Sequence, residues 1–194
     1  MRAKQKGAFA VELAMVLVFA SGLFVVVVNY MLAINKKGQL DRAAYSLTTI
    51  LAERKQLFNA DLDICSGNCN QTENTAYSIA AASMKRMIPN FDKTKFGMRI
   101  DEVRLDERVL SNGKVDYVRR HKALEKGNVI GCNFPDMSDI DKAKAIEMLP
   151  VTSRNRRLPL YQVSLCYETP VNILGVANGE VFRIVSSSYS FARV

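Results

Sequence analysis

Three patterns of apolar and polar positions succeed one another along the chain. The first is continuous. From Ala8 to Ile34 (AFAVELAMVLVFASGLFVVVVNYMLAI) the only charge is Glu12. As a helix rising 1.5 Å per residue this run is about 40 Å long, against a hydrocarbon core of ~30 Å. The apolar region of a secretory signal stops after roughly 7–15 residues. Val18-Phe19-Ala20 imitates a cleavage site, but the run continues through Val25 to Val28, so residues 8–34 are expected to span a membrane uncut. The second pattern is helical: Leu40, Ala44, Leu47, Leu51 and Phe58 form one stripe at spacings of 3, 4 and 7. No proline precedes Pro89, so one helix is expected from about Ala8 to Phe58. Its second half, 35–58, would pack on a globular domain. Gly38 is its weak point, costing about 1 kcal/mol against Ala, and the place where it would bend.

The third pattern fills residues 59–194 with short elements. Asn59 to Thr75 reads as a loop of Asp, Ser, Gly and Asn, and Ala76 to Ile88 as a helix ended by Pro89. Phe96 to Glu107 alternates as a strand. Ser111-Asn112-Gly113 signals a turn, and Val115 to Arg120 returns as the second strand of a hairpin. Ser138 to Leu149 predicts a short helix capped by Ser138 or Asp139, and Leu160 to Glu168 and Glu180 to Phe191 two more strands. Helix, hairpin, helix, strand, strand implies an α+β fold: a long N-terminal helix on a small antiparallel sheet. No internal repeat or low-complexity tract interrupts this order.

Composition changes the picture in two ways. Lys and Arg number 27 against 19 Asp and Glu, a net charge of +8, and Arg2, Lys4 and Lys6 supply three of these charges, leaving 8 − 3 = +5 for the rest. That excess is spread along the chain and argues solubility more than nucleic-acid binding. The clusters Arg119–Lys122 and Arg154–Arg157 read as solvated faces. Four cysteines all follow the apolar run, as expected for two disulfides in an oxidising compartment. Of three possible pairings, spacing favours Cys65–Cys69 with Cys132–Cys166. The second pair closes a loop of about 35 residues, worth on the order of 4 kcal/mol. Cations flank the span almost evenly (Arg2, Lys4, Lys6 and the α-amine before; Lys36, Lys37 and Arg42 after), so the positive-inside count barely favours a cytoplasmic N-terminus. The cysteines break the near-tie, placing the C-terminal part outside the cytoplasm.

Little points to catalysis. Cys65-x₃-Cys69 is not the usual zinc knuckle, and the other two cysteines are isolated. Asp61-x-Asp63-x-Cys65 starts like a calcium loop, but its glycine, Gly67, comes one place late and position twelve is Thr72. His121, the only histidine, stands among Arg119, Arg120 and Lys122, a poor setting for a general base. No nucleophile elbow, phosphate-cradling glycine loop or histidine-rich motif occurs. No enzyme activity, cofactor, metal, small-molecule substrate or nucleic-acid partner is expected.

Glu12 is the informative residue. A carboxylate within hydrocarbon costs up to a few kcal/mol and marks a functional position unless it lies near enough the edge to reach headgroups. Its context is a basic leader, Arg2, Lys4 and Lys6, followed by Gly7-Ala8-Phe9-Ala10-Val11-Glu12. This resembles the processing signal of type IV prepilins and pseudopilins. The resemblance implies removal of residues 1–7 by a membrane aspartyl prepilin peptidase, cutting between Gly7 and Ala8 and leaving Glu12 at the fifth mature position. Leu13 replaces the Tyr that follows this Glu in major Flp pilins, and the chain is far longer than those subunits. It therefore resembles the TadE/TadF minor pseudopilins of the tight-adherence system. The run Leu40-Asp41-Arg42-Ala43-Ala44-Tyr45-Ser46-Leu47, with Leu51-Ala52-Glu53-Arg54, is most similar to TadF. The closer likeness covers residues 7–60.

That resemblance implies a minor pseudopilin in the biogenesis of a tight-adherence pilus, by priming, capping or assembly, serving surface adhesion and biofilm formation. Its partners would be the membrane, the prepilin peptidase, other pilins and the pilus assembly platform. It would cross the bacterial inner membrane once, N-terminus cytoplasmic and C-terminal domain periplasmic, remaining there or entering the fibre. The alternative is an unprocessed single-span periplasmic scaffold or binding protein. Cleavage would create an α-amine on Ala8, and a neighbour's amine could satisfy Glu12 and set the axial register of insertion. Opposite charges ~4 Å apart attract by about 4 kcal/mol at an effective dielectric of 20, before desolvation.

Overall fold

A computed structural model of the chain describes residues 5–53, 63–65, 68–153, 155–169 and 182–193. The first helix, α1 (Gln5–Ala52), runs unbroken through Gly38, so the glycine does not end it. Nothing lies within 4 Å of a side chain placed there. The predicted stripe becomes core: Leu40, Ala44, Leu47 and Leu51 are buried, with Ala43 beside them. Phe58 and the expected end of the helix lie outside the described residues. The other half of α1 is apolar and exposed, from Phe9 at 68% to Ile34 at 63%.

The second helix starts earlier than its composition suggests. α2 spans Cys69–Met87, taking in seven residues assigned above to a loop. Asn68 caps it, its side chain accepting the Asn70 N–H at 3.1 Å. A stripe at a spacing of four, Thr72, Ala76, Ala80 and Met84, turns into the core. Cap and burial together outweigh the poor helix propensity of the polar first turns. Ile88 takes extended backbone before Pro89 and ends the helix.

A one-turn 3₁₀ helix, Lys93–Lys95, leads into four strands: β1 (Phe96–Val109), β2 (Val115–Gly127), β3 (Leu160–Thr169) and β4 (Phe182–Phe191). They form one antiparallel sheet in the order β2-β1-β3-β4. β2 is seven residues longer than expected, since pairing with β1 holds from Val109↔Val115 to Gly97↔Gly127. Leu110–Lys114 close the hairpin, with Gly113 at φ +76°. At the other end of the hairpin the strands approach closely. Gly97 passes the Asn128 carbonyl where a Cβ would overlap it, and Gly127 (φ +84°) does the same to the Phe96 carbonyl.

Both faces of the sheet are covered, which is why β1 and β3 are buried at consecutive positions. α1 and α2 cover one face, over Met98, Ile100, Val163 and Leu165. The other carries the segment from Asn128 onward and α3 (Lys142–Met148), which packs Ala145 and Leu149 against Val103, Leu105 and Leu160. The cap of α3 is Asp141, which accepts the Lys144 N–H at 2.8 Å, rather than Ser138 or Asp139. Ser138 is instead bound to Asp136.

α1 runs in the same direction as β4. Asp41 meets Ser186, Thr48 donates to the Ser188 carbonyl at 3.2 Å, and Arg193 N–H donates to the Ala52 carbonyl at 2.8 Å. The start of β4, the end of β3 and the start of β1 therefore lie nearest the apolar half of α1.

Candidate functional site

Lys6, Gly7 and Ala8 belong to the first turn of α1, while Arg2 and Lys4 fall outside the described residues. Glu12 follows Ala8 by one turn, about 6 Å along the axis. It is exposed and forms no ion pair among the described residues. Phe9, Met15 and Val16, three or four residues away, share its side of the helix, each more than 60% exposed. Away from Glu12 round the helix, Ala10, Val11 and Ala14, with Met15, Val18 and Phe19, line an open apolar depression. Water does not suit this surface. What it fits is hydrocarbon or another apolar helix, with one buried-charge requirement at Glu12.

In the globular domain, disulfides join Cys65 to Cys69 and Cys132 to Cys166, with Cα separations of 4.3 and 6.1 Å. The first fixes the entry to α2. The second ties the segment after β2 to the central strand β3. Labelling of denatured, unreduced protein is expected to find no reactive thiol, and Cys132→Ser with Cys166→Ser to cost about 4 kcal/mol of stability. Four reactive thiols would overturn both bonds and the extracytoplasmic placement they support.

Two charged networks escaped the sequence reading. Their visible trace was the alternation Arg99, Asp101, Glu102, Arg104, Asp106 along β1, which does not say which faces are covered. On the α3 face, Arg99 donates to both oxygens of buried Asp101 (2.8 and 3.0 Å) and to Asp136 (3.0 Å), and His121 Nε2 lies 2.8 Å from Asp101. His121 thus faces a carboxylate rather than the cations that neighbour it in sequence. Asp101, His121 and Asp136 bring potential ligand atoms within 4.8 Å of one another. Arg99 already occupies both acids, so the cluster is an arginine-centred ion-pair network. The basic clusters are likewise not simply solvated. Arg119 donates to the Met137 and Ser138 carbonyls, Arg120 pairs with Asp106 and Lys122 with Asp63. Arg157 donates to the Ile146 and Leu149 carbonyls and lies 5.2 Å from the Tyr117 ring centre, while Arg154 is outside the described residues.

The second network is on the helix-covered face. Glu102 is fully buried. One oxygen accepts the Ile64 N–H at 2.9 Å, and the other has no hydrogen-bond partner. Beside it Asp63 is held by Lys122 (2.7 Å) and Arg104 (2.8 Å). Burial, with repulsion from Asp63, raises the Glu102 pKa to about 7, against the Ile64 N–H, Arg104 and Lys122. For Asp63, burial also opposes charge, but Lys122, the Cys65 N–H and Arg104 prevail and hold it below the ordinary value. The signs are opposite. Glu102, raised in the fold, contributes stability that is complete below about 4.5 and lost as pH rises through about 7. Asp63, lowered, contributes stability present above 3.8 and lost in acid. The full chain is therefore expected to unfold at a lower temperature at pH 8 than at pH 5.5, and Glu102→Gln to remove most of that difference. An unchanged pH profile in Glu102→Gln would show that Glu102 does not titrate in this range.

The family model TadF, "Putative tight adherence pilin protein F", matches residues 1–193, the whole chain but its last residue. No significant match exists among curated proteins or among solved structures.

Proposed function

From this chain's membership of the TadF family of tight adherence pilin proteins, to which it belongs, we propose that it works as a processed minor pseudopilin. The family gives it a role in the tight-adherence pilus, as a structural component associated with the membrane and other pilus subunits. The finer reading is that it primes, caps or assists assembly of that pilus, which serves adhesion and biofilm formation. In this reading a prepilin peptidase removes residues 1–7. Residues 8–34 then hold the protein in the inner membrane, and residues 35–58 continue the helix into a periplasmic domain, 59–194. The assembly platform and neighbouring pilins receive it there.

The observation that carries the reading is Glu12: one exposed carboxylate, the single charge of the apolar stretch 8–34, one turn beyond Gly7-Ala8. Left alone in hydrocarbon it is costly. Matched with the Ala8 α-amine of an adjacent subunit it becomes a positioning device, because the pair is satisfied at only one axial offset between helices.

The test is the N-terminal residue of protein extracted from membranes. Ala8, free or methylated, is the expected result. Met1 would instead indicate a plain membrane anchor, and the pseudopilin reading would fall. Comparing sheared filaments with membranes then tells a fibre subunit from a membrane-resident factor.

A further inference from the structure

The end of the domain nearest the apolar half of α1 has a charge pattern of its own. α1 brings Lys36 and Lys37 there. The last turn of α2 brings Lys85 and Arg86, and the 3₁₀ turn brings Lys93 and Lys95. Of these, Lys37, Lys85, Arg86 and Lys93 are exposed. Among the described residues the local acids are already engaged. Asp92 accepts the Thr94 N–H and hydroxyl, and Glu168 lies between Lys95 (3.7 Å) and Arg183 (3.5 Å). At the far end several cations are paired with acids: Arg120 with Asp106, Lys142 with Asp116, Arg193 with Glu53.

The same end carries apolar surface that the fold leaves open. Phe182 is 46% exposed. With Ile184 it faces Val26, Tyr30 and Ile34 of α1 across a groove of about 480 Å³, with Lys37 and Arg183 also on its walls. On the other side of α1, Pro89 and Tyr167 face Leu32 and Lys36 across a smaller groove. If the hydrocarbon core takes up about 20 residues from Phe9, the residues after Val28 stand at headgroup depth. Both grooves therefore open where the bilayer surface would lie.

We propose that this end of the domain seats on anionic phospholipid of the bilayer that α1 crosses, its cations on headgroup phosphates and Phe182 in the interfacial layer. The partner follows from charge complementarity and from continuity with the apolar span. Clustered Lys and Arg beside a membrane helix bind anionic lipid in a salt-dependent way, and an aromatic ring suits the interface. The inference rests on α1 crossing the membrane, which the experiment checks separately.

The protein has no tryptophan, so a single one can report depth. The full chain would be reconstituted in vesicles of phosphatidylcholine, or of phosphatidylcholine with about a third phosphatidylglycerol, containing lipids brominated either near the headgroup or deep in the acyl chains. F182W is expected to be quenched several-fold more than V115W at the distal hairpin. Its quenching should be stronger with phosphatidylglycerol and reduced by salt or by K93E with K95E. F19W, within the span, should be quenched by deep bromines in every vesicle. If F19W escapes, α1 does not span, and the seat falls with it. If F19W is quenched but F182W matches V115W, the seat alone falls. F182W quenching equal in both lipids and indifferent to K93E/K95E would overturn the anionic partner. Shielding of F182W that grows with protein density would put a second copy in the groove instead.

Discussion

Cells carrying Glu12→Leu are expected to hold normal amounts of inserted, shortened protein and to lose most surface pili. Insertion survives because the substitution makes the span more apolar. Cleavage survives because Gly7 and the basic leader are untouched. Assembly suffers because the α-amine of a neighbouring Ala8 loses its counter-charge in a medium that does not solvate it. The pair attracts by about 4 kcal/mol at an effective dielectric of 20, enough to set the register of one helix against another. Glu12→Gln keeps an acceptor but not the charge, and should be clearly defective. Glu12→Asp should be intermediate, since its carboxylate reaches less far. Counting pili at matched protein level checks the series. Equal piliation in all three variants would remove Glu12 from the mechanism.

The second large effect is expected at the scissile bond. Gly7→Ala should be partly tolerated, whereas Gly7→Glu should block cutting, leaving a chain longer by seven residues that starts at Met1. The reason is steric and electrostatic: a bulky acid replaces the smallest residue directly after a basic leader. An uncut leader would also leave Ala8 N–H within a peptide bond, so no α-amine forms and piliation should fall with processing. Mass measurement of the extracted protein reads the first effect directly. A normally shortened Gly7→Glu product would refute the proposed signal.

Much of the fold was legible because its signals are periodic and long. The run to Ile34, charged only at Glu12, and the stripe from Leu40 to Leu51 dictate one helix with two environments, and that is what forms. The hairpin was announced by Ser111-Asn112-Gly113 and by the alternation from Phe96 to Glu107. Where the reading stopped short, tertiary context decided. The first turns of α2 look like a loop until Asn68 caps them and Thr72 is buried. Arg119, His121 and Lys122 look solvated until Met137, Asp101 and Asp63 are brought to them across the fold. Asp101 and Glu102 are adjacent in sequence yet buried on opposite faces, a pattern with no one-dimensional signature when a sheet is covered on both sides.

The parallel course of α1 and β4 has a mechanical consequence. A pull on the membrane half of the helix enters the domain along the helix axis, not across it. The contacts at Asp41, Thr48 and Ala52 lie in succession on that line, from Ser186 through Ser188 to Arg193. They are loaded together in shear rather than opened one by one as in peeling. Axial tension on such a subunit is thus shared along the whole seam between helix and sheet, while a sideways force would meet its bonds singly.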